Sequence, residues 1–282
     1  MQDSAATIAL AVASIMAQTF TDWELIIVDD GSRDDSVEQV RRIGDPRIRI
    51  LIDPSGARRG LAVRLNEAID IAQGEYLARM DADDVAYPER FERQVAALRL
   101  DPAIDLIGAA MLVFADDGRA VGIHPAAASH AEICARPYRG FYLPHPSWMG
   151  KTAWFRAWRY APSYSKAQDQ DLLRRSWQAS RFAAVAEPLV GYRQDRLVLG
   201  KLWRSRYFTV RSIWQAVMRD DKPWIGVVAS IAQAARASVE TIAVLTKTER
   251  WLLPHRARPI SDEQQQRWYA VWQALNKPRN NR

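Results

Sequence analysis

Asp81, Asp83 and Asp84 form the densest group of residues in this sequence that could do chemistry. Carboxylate oxygens are the ligands that Mg²⁺ prefers, and a bound Mg²⁺ or Mn²⁺ completes its shell with phosphate oxygens and water. An acidic loop can therefore bind a nucleotide diphosphate through a bridging cation. The simpler alternative is an Asp-rich turn before the helix that Pro88 begins, and it is slightly favoured for an isolated Asp-x-Asp.

A second acidic pair, Asp29 and Asp30, shifts the balance toward a ligand site. It follows the apolar run 25–28, which is too short for a helix and indicates a buried strand. Residues 76–80 indicate another strand, which leads into Asp81. Ligands of open α/β sheets bind at the carboxyl ends of the strands. Two acidic strand ends side by side repel each other, so together they indicate a cation.

Helices and strands alternate around these residues. Helices are predicted at about 7–18, 35–42, 60–72 and 88–99, and strands at 25–28, 48–52 and 76–80. This order predicts an α/β fold with a mostly parallel sheet flanked by helices. Beyond residue 100 the pattern indicates a hairpin over 104–124, a helix at 169–180, strands broken by Pro188 over 182–192, and only helices after 197.

Composition restricts the class of protein. The chain has 282 residues with 48% hydrophobic and 26% charged residues, which is typical of a folded soluble protein rather than a polytopic membrane protein. A single cysteine, Cys134, excludes an intrachain disulfide, and four scattered histidines argue against a transition-metal site. Asp3 stands where a signal peptide would carry a basic residue. We therefore expect a cytoplasmic protein, either free or peripheral on the cytoplasmic face of the membrane.

The charge distribution predicts two parts. Residues 1–196 hold 24 Lys and Arg against 27 Asp and Glu, whereas residues 197–282 hold 15 against 6, together with six of the eleven tryptophans. Such a basic, Trp-rich helical extension suits anionic lipid or an anionic partner; no recognition motif supports nucleic acid. Residues 224–245 form a membrane-length apolar stretch, but Gln233, Arg236 and Glu240 interrupt it. A helix packed on its neighbours is favoured over a membrane-surface helix.

Two segments resemble a known family. QTFTDWELIIVDDGSRDDS at 18–36 and GLAVRLNEAIDIAQGEYLARMDADDVAYPERFERQ at 60–94 are similar to the nucleotide-binding half of family 2 inverting glycosyltransferases, which have the GT-A fold. The resemblance implies a nucleotide-sugar donor, most often a UDP-sugar, and Mn²⁺ or Mg²⁺. It implies these site residues: Asp29 and Asp30 on the base and ribose, Asp83 as main metal ligand, Asp81 on the ribose or metal, and Arg59 and Asn66 lining the nucleotide pocket.

The resemblance extends more thinly to Arg193. Residues 145–156 and 165–178 are similar to family segments that place His145 on the acceptor side and Asp169 at the position of the catalytic base. A packed or surface histidine beside two prolines is the favoured interpretation of His145. Residue 168 is Gln where relatives usually have Glu, so the residue next to Asp169 lacks the negative charge that it has in relatives. By resemblance, Asp169 would take the proton from an acceptor hydroxyl.

The implied function is transfer of a sugar, with inversion, from a nucleotide diphosphate to a hydroxyl of a glycan or lipid-linked acceptor in polysaccharide or glycolipid synthesis. A non-catalytic nucleotide-sugar-binding relic is one alternative. A sugar nucleotidyltransferase is another, although the Gly-rich phosphate loop of that class is not seen. Relatives begin with a hydrophobic strand ahead of the helix at 7–18, and this sequence has none there. Its absence would expose backbone groups on the neighbouring strands.

Overall fold

A computed structural model describes residues 1–193, 199–246, 248 and 258–277 of the chain. Its helices are α1 Ile8–Met16, α2 Ser36–Ile43, α3 Leu61–Ile71, α4 Arg90–Leu100, α5 His130–Ile133, α6 Thr152–Ala157, α7 Gln168–Ser176, α8 Leu199–Arg219, α9 Pro223–Leu245 and α10 Asp262–Asn276. Its strands are β1 Leu25–Asp29, β2 Ile48–Ile52, β3 Tyr76–Ala78, β4 Val85–Ala86, β5 Leu106–Phe114, β6 Ala120–His124, β7 Met149–Lys151 and β8 Phe182–Arg193. The predicted α/β class is confirmed. Trp251, one of the tryptophans noted above, lies outside the described residues.

The strands form two sheets. β1 and β2 are a parallel pair, and the larger sheet has the order β3-β7-β5-β8-β4, with β6 added to β5. In the larger sheet β5 and β8 are parallel, while the other pairings are antiparallel, including the predicted β5–β6 hairpin. The prediction of a mostly parallel sheet was therefore wrong for the larger sheet, because hairpin and edge-strand pairings add antiparallel neighbours to β5 and β8. All nine residues of β5 are buried, as its uninterrupted run of apolar and small residues predicts. β5 is therefore the centre of the fold.

Among the described residues, no strand joins β1 to β3. Met1 instead forms a single rung on β1: its amino group donates to the Val28 carbonyl at 2.5 Å, and its carbonyl accepts from Asp30 N–H at 2.9 Å. Donating to one residue and accepting from the residue two further on is the pattern of a parallel strand pair. This rung brings the Met1 amino group beside the acidic end of β1.

Helix α10, the last one among the described residues, packs against the larger sheet. Trp268 is fully buried, its indole N–H donates to the Gly118 carbonyl at 2.7 Å, and its ring centroid lies 4.8 Å from that of Phe114. A Cβ added to Gly191 of β8 would meet the Trp268 ring at 2.4 Å. Glycine in β8 therefore makes room for this tryptophan. The tryptophans of the C-terminal segment thus include core residues.

Helices α8 and α9 form an antiparallel hairpin that rests on α7. Arg174 of α7 donates to the Ser212 hydroxyl at 3.0 Å, and the Tyr164 hydroxyl, just before α7, donates to Gln215 at 2.7 Å. Within α9, only Gly226, Gln233, Ala237, Glu240 and Ala243 are buried. By length and composition, α9 is the one helix in the described part of the chain that could cross a membrane.

Candidate active site

The turn after β3 gathers the first acidic cluster. Carboxylate oxygens of Asp81, Asp83 and Asp84 lie within 4.8 Å of one another. Asp84 is buried, and one of its oxygens accepts from the Arg193 N–H at 3.0 Å. The Arg193 side chain donates to the Asp83 carbonyl, also at 3.0 Å. Arg193 at the end of β8 therefore fastens the acidic turn to the larger sheet.

Negative charge is concentrated in this cluster. Burial raises the pKa of Asp84 well above its usual value, and the neighbouring carboxylates Asp81 and Asp83 raise it further. The second oxygen of Asp84 is buried without a hydrogen-bond partner. Three carboxylates that converge around an unsatisfied oxygen suit a hard divalent cation, which takes oxygen ligands. The residues at this turn therefore fit a divalent metal ion.

Arg79 is a buried cation two residues before the cluster. Its guanidinium forms a salt bridge with Asp81, while its Nη1 atom is buried without a hydrogen-bond partner. Asp84, Tyr160 and Asp169 are close enough to influence its pKa. The sequence reasoning above missed this residue. The signal was present, because an arginine inside the predicted strand 76–80 is costly to bury unless it is paired.

A cavity of about 340 Å³ joins the acidic turn to α7. Its polar lining comprises Arg79, Asp81, His124, His145, Asp169 and Tyr192. Asp169 lies in the first turn of α7, where the helix dipole favours a carboxylate. The structure thus brings three predicted site residues, Asp81, His145 and Asp169, to one cavity, although they are distant in sequence.

His145 is packed inside this site. Its Nε2 atom lies 2.8 Å from the Tyr160 hydroxyl, and its ring meets Trp148 edge-on with centroids 4.6 Å apart. Burial lowers the pKa of His145 well below 6.5, and the charge of Arg79 lowers it further. The imidazole is therefore neutral at physiological pH, and its Nε2 atom can form a hydrogen bond with the Tyr160 hydroxyl in this uncharged state.

Asp29 and Asp30 lie at the end of β1, as predicted, but outside the lining of the cavity. Asp29 is buried, and its carboxylate accepts from the N–H groups of Gly31 and Ser32, at 3.2 Å each. This is an Asx-type turn that shapes the loop after the strand. In the described structure, Asp29 is therefore occupied by its own loop.

Asp30 holds a second loop in place. Its carboxylate accepts from Arg59 N–H at 2.7 Å, from Gly60 N–H at 3.1 Å and from the Arg64 side chain at 3.0 Å. Burial acts to raise the pKa of Asp30, but these hydrogen bonds outweigh it and the pKa is lowered. Arg64 is a buried residue of α3, and the sequence patterns did not indicate its role.

The two acidic strand ends share a neighbourhood. Burial lowers the pKa of the Met1 amino group, whereas Asp29, Asp30 and Asp81 each act to raise it. All three carboxylates therefore lie within electrostatic range of one amine. This is the proximity that the sequence predicted for the ends of β1 and β3.

Arg59 and Asn66, which were predicted to line the nucleotide pocket, do not line the cavity. The Asn66 side chain donates to the Tyr160 carbonyl at 2.8 Å and accepts from the Tyr160 N–H at 3.1 Å. It therefore positions the partner of His145 and does not line the cavity. The Arg59 side chain is half exposed and donates to Glu67 at 2.7 Å.

An α/β fold in which the acidic turn after β3 and the Asp169 carboxylate meet at one cavity is the arrangement that the resemblance to glycosyltransferases implies. The model for "Glycosyl transferase family 2" matches residues 2–159, and the chain belongs to this family. The resemblance inferred from the sequence is confirmed.

Individual relatives agree with this assignment. The chain is similar to the UDP-Glc:alpha-D-GlcNAc-diphosphoundecaprenol beta-1,3-glucosyltransferase WfgD of Escherichia coli, with 32% identity over 33% of this chain and 36% of that protein. It is similar to the uncharacterized glycosyltransferase MJ1057 of Methanocaldococcus jannaschii, with 26% identity over 73% of each chain. The chain spans less than half the length of several curated glycosyltransferases that it matches.

Solved structures support the fold. The crystal structure of S. aureus TarS in complex with UDP-GlcNAc superimposes with a TM-score of 0.61 over 98% of this chain and 78% of that one. The identity is 16%, so this likeness concerns the fold alone. The predicted GT-A class is thereby confirmed.

Proposed function

We propose that this protein is an inverting, metal-dependent glycosyltransferase that transfers a sugar from a nucleotide diphosphate, most simply a UDP-sugar, to a hydroxyl acceptor. One observation carries the proposal: Asp81 of the acidic turn and Asp169 of α7 line one cavity. In an inverting displacement, the leaving diphosphate and the base that activates the acceptor lie on opposite faces of the sugar. Two carboxylate groups across a cavity suit that division of roles.

Asp83 and Asp81 would hold the metal ion, Mn²⁺ or Mg²⁺, with Asp84 beside them. When bound, such an ion neutralises the charge that develops on the leaving diphosphate. Asp29, Asp30, Arg59 and Asn66 would belong to the nucleotide side of the site. For Asn66 this role is indirect, because its side chain is committed to the Tyr160 backbone.

Asp169 would act as the base. One of its carboxylate oxygens would accept the proton of the acceptor hydroxyl, while the hydroxyl oxygen bonds to the anomeric carbon and the bond from that carbon to the diphosphate oxygen breaks. Arg79 lies near enough to Asp169 for the two charges to attract each other. Neutral His145 would supply a hydrogen bond on the acceptor side.

We further propose a glycan or lipid-linked acceptor and a cytoplasmic location. The diphosphoundecaprenol in the name of the Escherichia coli relative supports a lipid-linked acceptor. Division at about residue 196 would separate the catalytic part from the basic helical part. No role in nucleic-acid binding is proposed.

The proposal is tested by titrating UDP in the presence and absence of Mn²⁺ and by measuring UDP-sugar hydrolysis. We expect Mn²⁺-dependent binding that Asp83→Ala abolishes, whereas Asp117→Ala, an exposed aspartate in the β5–β6 turn, leaves it unchanged. Asp169→Asn should retain UDP binding and lose about 10²–10⁴-fold in turnover. Binding without turnover in the wild-type protein would favour the relic, and absence of both would reject the proposed function.

A further inference from the structure

Helix α9 carries its apolar residues on its outer side. Its largest exposed apolar side chains are Trp224, Val227, Val228, Ile231, Val239, Ile242 and Leu245. At 3.6 residues per turn these seven positions fall within an arc of about 120°. They form a continuous stripe along the helix, which we call the α9 stripe.

Two polar residues of α9 face inward instead. Gln233 and Glu240 are each 5% exposed and lie on the side of the helix opposite the α9 stripe. Both bind Arg206 of α8: Gln233 at 2.8 Å, and Glu240 through two contacts at 2.5 and 3.3 Å. A water-facing hairpin buries apolar residues and exposes polar ones. Helix α9 has the reverse arrangement along the α9 stripe, so water is an unsuitable medium for this face.

Charge identifies the medium that suits this face. The exposed basic residues of the hairpin are Lys201, Arg204, Arg219, Lys222 and Arg236, whereas Asp221 is its one exposed acidic residue within 199–246. Arg219 and Lys222 adjoin Trp224 at the hairpin turn, and Lys201 and Arg204 lie near the opposite end of α9. Trp203 and Tyr207 of α8 are also more than half exposed. Basic residues and amphipathic aromatics around an apolar stripe match the headgroup region of an anionic bilayer.

We propose that the α9 stripe docks into the surface of an anionic lipid bilayer, with α9 lying in the plane of the interface. The polar side of α9 remains paired with Arg206, so the hairpin keeps its internal contacts on docking. Spanning the bilayer would instead carry Arg236 and the Gln233–Glu240–Arg206 group into hydrocarbon, which is costly.

Docking would also orient the cavity. The hairpin rests on α7 through Arg174 and Ser212, and α7 carries Asp169. A hydroxyl acceptor anchored in the bilayer would therefore approach from the side of the base. This last step rests on the proposed function, whereas bilayer docking itself does not.

Flotation of the full chain with lipid vesicles tests the proposal. We expect binding to vesicles of phosphatidylcholine mixed with phosphatidylglycerol, and weaker binding to phosphatidylcholine alone or at high salt. Ile231→Glu and Ile242→Glu should each lower the partition by roughly tenfold or more, because each removes a membrane-buried aliphatic side chain. Leu100→Glu, which alters an exposed leucine at the end of α4, is the matched control and should bind as the wild type does.

Thermal unfolding midpoints confirm that the variants are folded, and light scattering reports their oligomeric state. The proposal is overturned if the wild type does not float with anionic vesicles, or if the two isoleucine variants float as well as it does. It is also overturned if the wild type is a dimer without vesicle affinity that Ile231→Glu makes monomeric, because a second copy would then cover the stripe. UDP-sugar turnover by the same proteins is measured separately. A wild-type protein that turns over UDP-sugar but does not bind vesicles would reject docking and leave the proposed function standing.

Discussion

Arg79 and Asp81 form a salt bridge at the wall of the cavity, with the arginine side chain 5% exposed and the aspartate 34% exposed. The guanidinium is thus a fixed positive charge beside a cluster of carboxylates. In the metal-free protein it offsets part of their mutual repulsion.

Replacing Arg79 by Met should destabilise the metal-free protein by about 3 kcal/mol, since one partner of a largely buried pair is removed. Mn²⁺ should restore much of this loss, because a divalent cation supplies the missing charge. Chemical denaturation with and without Mn²⁺ measures both effects. Arg119→Met, which removes an exposed pair with Asp117, should change stability by less than about 0.5 kcal/mol. An equal loss with and without metal would contradict the electrostatic role of Arg79.

The lowered pKa of His145 should make the stability of the protein depend on pH. Its pKa in the folded protein lies well below 6.5, so below pH 6.5 the unfolded chain binds a proton that the folded protein does not. Stability contributed by the neutral imidazole is therefore present above pH 6.5 and is lost as the pH falls. The maximal slope is about 1.4 kcal/mol per pH unit.

Urea unfolding of the wild type and of His145→Asn at pH 7.5 and 5.5 separates this contribution from those of other groups. We expect the wild type to lose about 1 kcal/mol more than the variant between these values. Parallel pH profiles of the two proteins would show that His145 titrates normally in the folded state.

The burial of Trp268 leads us to expect that α10 unfolds together with the core. Trp268→Ala should cost about 3–5 kcal/mol, because it empties a fully buried site against Phe114 and removes the hydrogen bond to Gly118. Trp203→Ala alters an exposed tryptophan on α8 and should be nearly neutral. The midpoint of urea unfolding distinguishes the two. Equal stability of both variants would place α10 outside the cooperative unit.

Local patterns predicted most elements of the fold. Periodicity and turn residues fix α1 to α4 and β1 to β3, because these elements depend on nearby residues. β8 was predicted as strands broken by Pro188, whereas it is one strand whose register against β5 shifts between Val185 and Val190. An irregularity in the ladder accommodates a proline that a regular central strand could not.

The site was predicted less completely, because pairing across the fold leaves little trace in the sequence. Only the family resemblance indicated that Asp169 belongs to the same site as the acidic turn. The hydrogen bonds of Asp30 with Arg64 and of Asn66 with Tyr160 depend on how α3 packs against β1 and against α6 and the residues that follow it. In α9 the helical spacing was recognised, but a packed helix was favoured. The structure instead turns its apolar side outward, because Arg206 on another helix selects Gln233 and Glu240 as the inner face.

Arg206 and Glu240 should therefore be strongly coupled. Arg206→Met leaves Glu240 buried without this partner, and Glu240→Met leaves Arg206 without its carboxylate partner. Each single variant should therefore lower the free energy of unfolding by about 3 kcal/mol. The double variant should cost less than the sum by about 1–3 kcal/mol, because the two methionines can pack together. A double-mutant cycle in urea measures this coupling. Arg42 and Glu38, an exposed pair on α2, serve as the control and should couple by no more than about 0.5 kcal/mol. A coupling as small as the control's would mean that Arg206 does not determine which side of α9 faces inward, and another cause of its outward apolar stripe would then be needed.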